Sequence, residues 1–447
     1  MKKTIITLLI FINISVVFSQ KIDTLKIHEY IDYIEKNNRE IGSISIFKNG
    51  KEMYNRTFGH NNQVAQALTN QTSKLSLNNN NRYQIGSISK LVTAVLIFKL
   101  IEDKKLKLED KLSKYFPNVP NSKKITIKHL LEHSSGLGDY VLKKDSIYWL
   151  QNKVHESEIM KEIINQGTLF KPGKKIKYSN SAYYLLTKIV EKEYNNEYAE
   201  IVDQIICKPL NLNHFFSIKK ADNNTLPSLE YSNKWDKLNE FDFVNVIGVG
   251  DISSTSKDLN EFITHLFNGN IISKSSVEKM KPNINKETFG RGMMLIPYYN
   301  IIFYGHGGDT YGTHSLCAYN EKDSLALSIC INGERYPHND FALDLLNIIY
   351  NKPHKLPEFI EEKTIDYNEI KPYEGTYSSA SFPLKLTVFI KDSLLHCQAT
   401  NQPSFLLSKI NKHQYCYTLA NINIEFIPNE NKLVFIQNGI KETLYKE

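Results

Sequence analysis

The stretch that decides the fold class reads Tyr83-Gln84-Ile85-Gly86-Ser87-Ile88-Ser89-Lys90 and continues as Leu91-Val92-Thr93-Ala94-Val95-Leu96-Ile97-Phe98-Lys99-Leu100-Ile101. The second part is rich in apolar residues, lacks Gly and Pro, and is long enough for about three or four helical turns. We therefore expect a helix with Ser87 and Lys90 on its first turn. Residues three apart share a helix face, so the hydroxyl and the amine are expected side by side. Such a pair suits a nucleophilic serine, because the amine can take the hydroxyl proton and the terminal N–H groups favour negative charge.

The Ser-x-x-Lys spacing is informative only in combination with partners, because it recurs four times elsewhere. The other matches are Ser45/Lys48, Ser217/Lys220, Ser254/Lys257 and Ser276/Lys279. Ser45 lies in an alternating run that predicts a strand, which places residues three apart on opposite faces. Ser254 and Ser276 precede helix-like runs, where serine is a common N-cap. Ser217 precedes a polar loop. These four matches therefore have structural explanations.

Two downstream motifs supply partners for Ser87. Tyr178-Ser179-Asn180 follows the turn Lys171-Pro172-Gly173 and opens an apolar run, so it predicts a loop-to-helix corner that can face a cleft. The copy at 231–233 leads into a polar segment instead. His306-Gly307-Gly308-Asp309 follows the apolar residues 301–303, as a strand with a glycine-rich end would. Glycines there let the backbone approach a ligand closely.

With these motifs in order, the chain resembles the serine beta-lactamase and penicillin-binding-protein superfamily, in its class C-like branch of esterases, D-aminopeptidases and DD-peptidases. The resemblance covers about residues 30 to 350. It rests on five ordered segments, namely Ser87-x-x-Lys90, 125–137, Tyr178-x-Asn180, 248–255 with Asp258-Leu259, and His306-Gly307-Gly308. It implies an α+β fold, with a beta-lactamase-like antiparallel sheet and a helical subdomain.

The resemblance and the residue chemistry together assign roles at the site. Ser87 attacks a carbonyl and forms an acyl-enzyme, while Lys90 and Tyr178 share the proton transfers. Tyr178 can act as a base if the neighbouring ammonium favours its phenolate form. Asn180 is expected to hydrogen-bond the substrate or Lys90. The oxyanion would be held by the backbone N–H of Ser87 and, by resemblance, that of Asp309.

The third motif, His306-Gly307-Gly308, departs from that of the beta-lactamases, which typically carry Lys-Thr-Gly at this place. An unperturbed histidine is largely neutral near pH 7, and Gly307 removes a hydroxyl. We therefore expect His306, Gly307, Gly308 and Asp309 to bind substrates with weak carboxylate recognition, and we expect esters or D-amino-acid amides and peptides to be preferred. Three alternatives stay open: a penicillin-binding or cell-wall-binding protein without turnover, a beta-lactamase, and a structural role for His306 at a strand edge.

The two ends of the chain differ from the region between them. Lys2, Lys3 and the apolar run that follows predict a secretory signal over residues 1–19, and hence an exported protein, periplasmic or secreted, without a stable membrane span after cleavage; an uncleaved anchor is the alternative. Residues 20–352 are expected to form the hydrolase domain and 353–366 a linker. Short alternating runs over 367–447 predict a small antiparallel β-barrel that looks lipocalin-like.

Between these ends, local patterns predict where helices and strands lie. Leu25–Asn37 is expected to be helical, and Asn49-Gly50 predicts a type I′ hairpin turn between two strands. The polar residues 61–81 are expected to form an exposed loop. Helices and loops dominate 105–280, and strands return after residue 300. This order predicts one sheet built from both ends of the domain, with a helical subdomain inserted.

Composition narrows the possible ligands. The charge of +7 is dispersed along the 447 residues, so nucleic acid is not an expected partner. Five scattered cysteines lack the spacing of a zinc site, and we expect neither a metal nor a cofactor. One disulfide is compatible with an exported protein, but its pairing stays open. The expected partner is a small-molecule or peptide substrate, with peptidoglycan fragments among the candidates.

Overall fold

The structure is a computed structural model that describes residues 22–60, 67, 77–143, 146, 148–218, 225–231, 234–240, 242–283, 288–359, 366–402 and 404–447. The predicted signal sequence and most of the predicted polar loop over 61–81 lie outside these residues. The boundaries predicted for the hydrolase domain and the linker stay predictions. Within the described ranges, no helix combines the length and the apolar character that crossing a membrane requires.

The α-helices of the described residues are named in chain order. They are α1 Thr24–Lys36, α2 Ser89–Glu102, α3 Ile127–Leu131, α4 Glu156–Gln166, α5 Asn180–Tyr194, α6 Tyr198–Val202, α7 Lys208–Leu210, α8 Ser256–Asn268, α9 Lys274–Met280, α10 His338–Ile349 and α11 Tyr367–Ile370. The predicted N-terminal helix is confirmed as α1. The caps of α8 and α9 are Thr255 and Ser273, so the prediction that Ser254 and Ser276 are caps was wrong by one and three residues.

The strands of the described residues fall into two large groups, antiparallel apart from one short parallel contact at Gly333 and Leu229, and one short pair. Those before residue 350 are β1 Glu40–Lys48, β2 Lys51–Phe58, β3 Tyr83–Gln84, β4 Leu229–Tyr231, β5 Trp235–Lys237, β6 Ser253–Ser254, β7 Met294–Tyr298, β8 Ile301–Asp309, β9 His314–Asn320 and β10 Leu325–Glu334. Those after it are β11 Gly375–Ser378, β12 Leu386–Lys391, β13 Leu394–Ala399, β14 Ser404–Leu406, β15 Ser408–Lys409, β16 Gln414–Tyr417, β17 Ile422–Ile427, β18 Lys432–Gln437 and β19 Ile440–Lys446.

The first large sheet joins both ends of the predicted hydrolase domain, as expected. Its main order is β2-β1-β10-β9-β8-β7, and β1 pairs with β10 over its whole length. At the β1–β2 turn, Asn49 and Gly50 have φ of 53° and 72°, which confirms the predicted hairpin. Side chains alternate across the sheet, so Ile44 and Ile46 pack toward α1 and α10 while Phe47 faces the helical region. The sheet is therefore covered on both faces.

The nucleophile segment enters the core between that sheet and the inserted helices. In α2, eleven of fourteen residues are buried, from Ser89 through Phe98 and Leu100. A helix that is apolar on all sides must be enclosed, because no polar face remains for water. The contacts of α2 with α5 and of the turn before it with β8 fix its N-terminus at the junction of sheet and helices.

The C-terminal residues form a separate nine-stranded antiparallel sheet with its own core. Its hydrogen-bonded order runs from β14 to β15, and these two strands are separated in sequence by Leu407 alone. The two edges of the sheet therefore meet at one segment, so the sheet nearly closes on itself. The predicted small antiparallel barrel and the α+β fold class are confirmed.

Candidate active site

Ser87 lies in a 3-10 turn, Gly86–Ile88, directly before α2. The sequence predicted that Ser87 lies on the first turn of the α-helix, whereas in the structure it lies in the tighter 3-10 turn that precedes the helix. Lys90 Nζ lies 2.9 Å from Ser87 Oγ, and the hydroxyl of Tyr178 lies 2.8 Å from the same atom. The three predicted catalytic side chains therefore meet at the Ser87 oxygen.

Lys90 is completely buried at the base of this site. Its ammonium donates a second hydrogen bond, of 2.8 Å, to the carbonyl of Val249. Burial lowers the pKa of Lys90 to about 7, although Asp139 and Asp251 act in the opposite direction. Near neutral pH a substantial fraction of this amine is uncharged and can accept a proton.

Tyr178 is held by an aromatic contact with His133. The two rings stack with centroids 4.4 Å apart, and His133 Nδ1 accepts a hydrogen bond from the N–H of Ser179. Burial raises the pKa of Tyr178 well above that of an ordinary tyrosine. Desolvation outweighs the hydrogen bond with Ser87, and Asp139 and Asp309 act in the same direction as desolvation, so this pKa direction disfavours the phenolate form considered from the sequence. Tyr178 acts as a hydroxyl donor to Ser87 in this geometry.

Asn180 is the first residue of α5, whose N-cap is Ser179. This confirms the predicted loop-to-helix corner. The Asn180 Nδ2 donates to Asp139 Oδ2 at 2.9 Å, so its partner is Asp139 rather than Lys90. The amide is thereby oriented by a carboxylate that sequence reasoning did not identify.

The end of β8 packs directly on the turn that carries Ser87. A Cβ at Gly308 would lie 1.9 Å from the carbonyl oxygen of Ile85 and 3.0 Å from the Ser87 nitrogen. A Cβ at Gly86 would lie 2.8 Å from the Asp309 nitrogen. This close approach brings the backbone of Asp309 next to that of Ser87, where the sequence predicted two oxyanion donors.

The other side chains of the third motif differ in exposure. His306 is 3% exposed, and burial lowers its pKa to about 4, so its imidazole is neutral at pH 7. Gly307 presents only backbone, whereas the carboxylate of Asp309 is 68% exposed. The motif thus offers substrates one negative charge and no positive one.

Asp309 also belongs to a cluster that could be considered for a metal ion. Ligand atoms of Asp309, His314 and His338 lie within 4.8 Å of one another. However, the two imidazoles stack with an interplanar angle of 6°, and in-plane lone pairs of parallel rings cannot converge on one ion. His314 instead bridges Asp309 Oδ1 at 2.8 Å and Glu334 Oε2 at 3.1 Å. These carboxylates raise the pKa of His314 to about 9, so it is a cation at neutral pH.

Three contributors to the site were missed or misassigned from the sequence. The sequence patterns did not single out His133, Asp139 or the Val249 carbonyl as part of the site. Segments 125–137 and 248–255 carried a family resemblance, which was the available signal for His133 and Val249. The five cysteines, all within the described residues, are buried free thiols, which resolves the open question of a disulfide in this structure.

Comparisons with known proteins show which family and fold this chain shares. The Beta-lactamase family model matches residues 30–350. Penicillin-binding protein 4* from Bacillus subtilis is 26% identical over 366 residues, covering 75% of this chain and 79% of that protein. D-amino acid amidase from Ochrobactrum anthropi, solved with D-phenylalanine, superposes with a TM-score of 0.64 at 20% identity, covering 73% of this chain and 99% of the other.

A further solved structure extends along nearly the whole sequence. The octameric penicillin-binding protein homologue from Pyrococcus abyssi superposes with a TM-score of 0.63 at 23% identity and covers 94% of this chain and 100% of the other. These structural likenesses show a shared fold. The family match spans well over half of the sequence and includes each of the predicted motifs. The chain therefore belongs to the beta-lactamase family.

Proposed function

We propose that the protein is an exported serine hydrolase that acts through an acyl-enzyme on Ser87, with esters, amides or D-amino-acid peptides as substrates. The observation that carries the proposal is the convergence of Lys90 Nζ and the Tyr178 hydroxyl on Ser87 Oγ. Members of the beta-lactamase family are mostly serine hydrolases, which is in keeping with such an arrangement.

The first half-reaction follows from the protonation states. Neutral Lys90 accepts the Ser87 proton while Oγ forms a bond to the substrate carbonyl carbon. The carbonyl oxygen becomes an oxyanion, which the N–H groups of Ser87 and Asp309 stabilise. As the bond to the leaving group breaks, the Lys90 ammonium returns the proton to the leaving oxygen or nitrogen, with the Tyr178 hydroxyl next to Oγ available as a relay.

Water completes the second half-reaction. The amine of Lys90 is again neutral after the leaving group departs, so it can take a proton from a water molecule that attacks the acyl carbon. Collapse of the second oxyanion breaks the bond to Ser87 Oγ, and Oγ regains its proton from Lys90. The products are the carboxylic acid and the alcohol or amine, and the protein returns to its initial state.

The charges around the cleft support the substrate preference. A substrate carboxylate would meet neutral His306 and the carboxylate of Asp309, and the cation beside Asp309, His314, is already paired with Asp309 and Glu334. Neutral esters and amides carry no such penalty. The similarity to a D-amino acid amidase solved with D-phenylalanine supports D-amino-acid amides as candidates. This similarity also supports peptides that contain D-amino acids, such as those derived from peptidoglycan, as candidates.

A penicillin-binding protein that becomes acylated without turnover is the second candidate. The similarity to Penicillin-binding protein 4* favours it. The two candidates differ in the fate of the acyl-enzyme: hydrolysis releases it, whereas a binding protein retains it. Cell-wall material would be the ligand in that case.

The test is hydrolysis of p-nitrophenyl acetate and butyrate by the purified protein, compared with Ser87→Ala, with mass spectrometry to detect a covalent adduct. We expect turnover in the wild type and none in Ser87→Ala. A matched control is Ser276→Ala, because Ser276/Lys279 has the same spacing but lies away from the site, within α9. This control should retain full activity.

The outcomes distinguish the candidates. A long-lived adduct on Ser87 without product release would favour the binding protein. Equal rates for wild type and Ser87→Ala, with no adduct, would refute both. A cephalosporin turned over as efficiently as the best ester would contradict the proposed substrate preference and favour a beta-lactamase.

A further inference from the structure

Residues 246–251 form a turn that packs against the first turns of α2. Lys90 Nζ donates to the carbonyl of Val249 at 2.8 Å, and Thr93 Oγ1 donates to the carbonyl of Gly248 at 2.7 Å. Gly248 has φ of 69°, and a Cβ there would lie 1.9 Å from Thr187 Oγ1, so this turn has no room for a side chain at that position. The position of the turn therefore determines where the second acceptor of Lys90 lies.

Asp251 closes this turn. Its side chain is fully buried, and Oδ1 accepts a hydrogen bond of 2.6 Å from the N–H of Gly248. Its other oxygen accepts from the hydroxyl of Ser217, and the backbone N–H of Ile218 is a further donor. Burial raises the pKa of Asp251 to about 6 and these donors only partly offset it, so the carboxylate is predominantly an anion at pH 7. Among these donors, the Gly248 N–H belongs to the turn that contacts Lys90.

Among the titratable groups around Lys90, few carry the negative charge that would balance its ammonium. His133 and His306 are neutral, because burial lowers the pKa of each. Tyr178 retains its proton for the reason given above. The negative charges are those of Asp139 and Asp251. Asp139 is half-buried and is hydrogen-bonded to Asn180, whereas solvent does not screen the charge on Asp251.

We propose that Asp251 is a positioning residue for Lys90: it fixes the Val249 carbonyl on Nζ and keeps a buried negative charge beside the amine that takes the Ser87 proton. The inference rests on the proposed function, since it concerns the base of that reaction. It assigns a task to segment 248–255, which was recognised in the sequence only as part of a family resemblance. Asp251 acts through Lys90 and touches no substrate.

The test is the isosteric variant Asp251→Asn, assayed as the pH dependence of kcat/KM for p-nitrophenyl acetate. Removing the negative charge favours the neutral amine, so the acid limb of the profile should move to lower pH by about one unit. The maximal rate should fall about tenfold, because asparagine has one acceptor oxygen where the carboxylate has two for the donors of Gly248, Ser217 and Ile218, so the turn that carries the Val249 carbonyl is held less firmly. Asp258→Asn is the matched control. It removes another buried carboxylate of the same region, which accepts from the N–H of His214, and should leave the limb in place.

A second variant separates charge from hydrogen bonding. Ser217→Ala removes one donor to Asp251 but leaves the carboxylate, so it should not move the acid limb to lower pH. If Asp251→Asn and Ser217→Ala both lower the rate with an unmoved limb, Asp251 is only a structural residue and the inference is wrong. NMR with 13Cε-labelled lysine measures the pKa of the Lys90 amine directly, and Lys90→Arg assigns its signal. A lower pKa in Asp251→Asn would support the inference and an unchanged pKa would contradict it, without any need for turnover. Absence of wild-type turnover would instead count against the proposed function.

Discussion

The imidazole of His133 lies against the phenol ring of Tyr178, and the rings are 28° from parallel. His133 also has φ of 54°, a left-handed backbone conformation that few residues with side chains adopt. His133 thus contacts Tyr178 through its ring and accepts a hydrogen bond at Nδ1 from Ser179, the residue after Tyr178. The same Tyr178 side chain donates its hydroxyl to Ser87 Oγ at 2.8 Å, so we infer that His133 helps to orient it.

His133→Asn should therefore lower kcat about 10- to 100-fold with a smaller effect on KM. Asparagine tolerates the left-handed conformation, so the variant removes the ring contact without forcing the backbone to change. Small displacements of a catalytic group have effects of this size. Steady-state kinetics with Tyr178→Phe and the double variant provide the check. Because both changes act on one hydroxyl, their effects should not be additive; full additivity would separate His133 from Tyr178.

The rate should rise with pH through neutrality. Lys90 must be uncharged to accept the Ser87 proton, and its pKa lies near 7. Below that pH the ammonium cannot serve as a base, so kcat/KM should fall about tenfold for each pH unit. The profile of p-nitrophenyl acetate hydrolysis between pH 5 and pH 8, in a buffer series of constant ionic strength, measures this limb. A profile that still rises about tenfold per pH unit at pH 8, without levelling off above pH 7, would show that Lys90 retains an ordinary amine pKa.

The cation His314 should contribute to stability in a pH-dependent way. Its pKa is raised to about 9 in the folded state, so its contribution is complete below the unfolded value near 6.5 and is lost as pH rises through 9. Its partner Glu334 has a pKa lowered to about 2, so that contribution is complete above the unfolded value near 4.5 and is lost as pH falls through 2. Stability from this pair is therefore greatest near pH 5 to 6.

His314→Gln should accordingly reduce the free energy of unfolding by about 2 kcal/mol at pH 6, and by less at pH 10. Urea denaturation at the two pH values measures both numbers. His28→Gln is the control, because His28 pairs with Asp32 on the surface at 3.8 Å and should change stability by less than about 0.5 kcal/mol. Equal losses at both pH values would show that the charge of His314 is not responsible.

Neighbouring glycines in the third motif should respond differently to alanine. Gly308→Ala places a methyl group against the Ile85 carbonyl, so it should destabilise the protein by about 2 kcal/mol or more and abolish hydrolysis. At Gly307 the nearest atom to the new Cβ would be the Ser315 oxygen at 3.8 Å, which is ordinary contact. Gly307→Ala should therefore melt within about 1 °C of the wild type. Thermal unfolding followed by circular dichroism compares the two; equal melting temperatures would mean that the strand end is loosely packed.

Local signals made parts of this fold predictable. Asn49-Gly50 predicted the hairpin because the turn type depends on those two residues. For β1 and β10, the sequence predicted only that strands from both ends of the domain share one sheet. It did not predict their pairing, because the register between distant strands depends on tertiary packing. The caps of α8 and α9 were misplaced because Ser, Thr and Asp occur close together there, and the sequence does not show which side chain turns toward the helix.

The candidate site likewise contains residues that could be predicted from the sequence and groups that could not. Ser87, Lys90 and Tyr178 could be predicted because side-chain chemistry and motif order point to them. The Val249 carbonyl could not, since every residue has a carbonyl and only the fold selects one. The protonation order of Lys90 and Tyr178 was also beyond the sequence, because it is determined by burial rather than by residue type.

The pairing of β1 with β10 also affects the order of events during synthesis. Glu40–Lys48 leaves the ribosome long before Leu325–Glu334, yet the two strands form one ladder. Until the later strand is made, the inner edge of β1 lacks its native partner, and closing so long a loop costs conformational entropy. Ser87 likewise cannot meet the end of β8 before residue 309 is available. We therefore expect a chain that ends before residue 309 to be inactive and to expose apolar surface of the kind that chaperones bind.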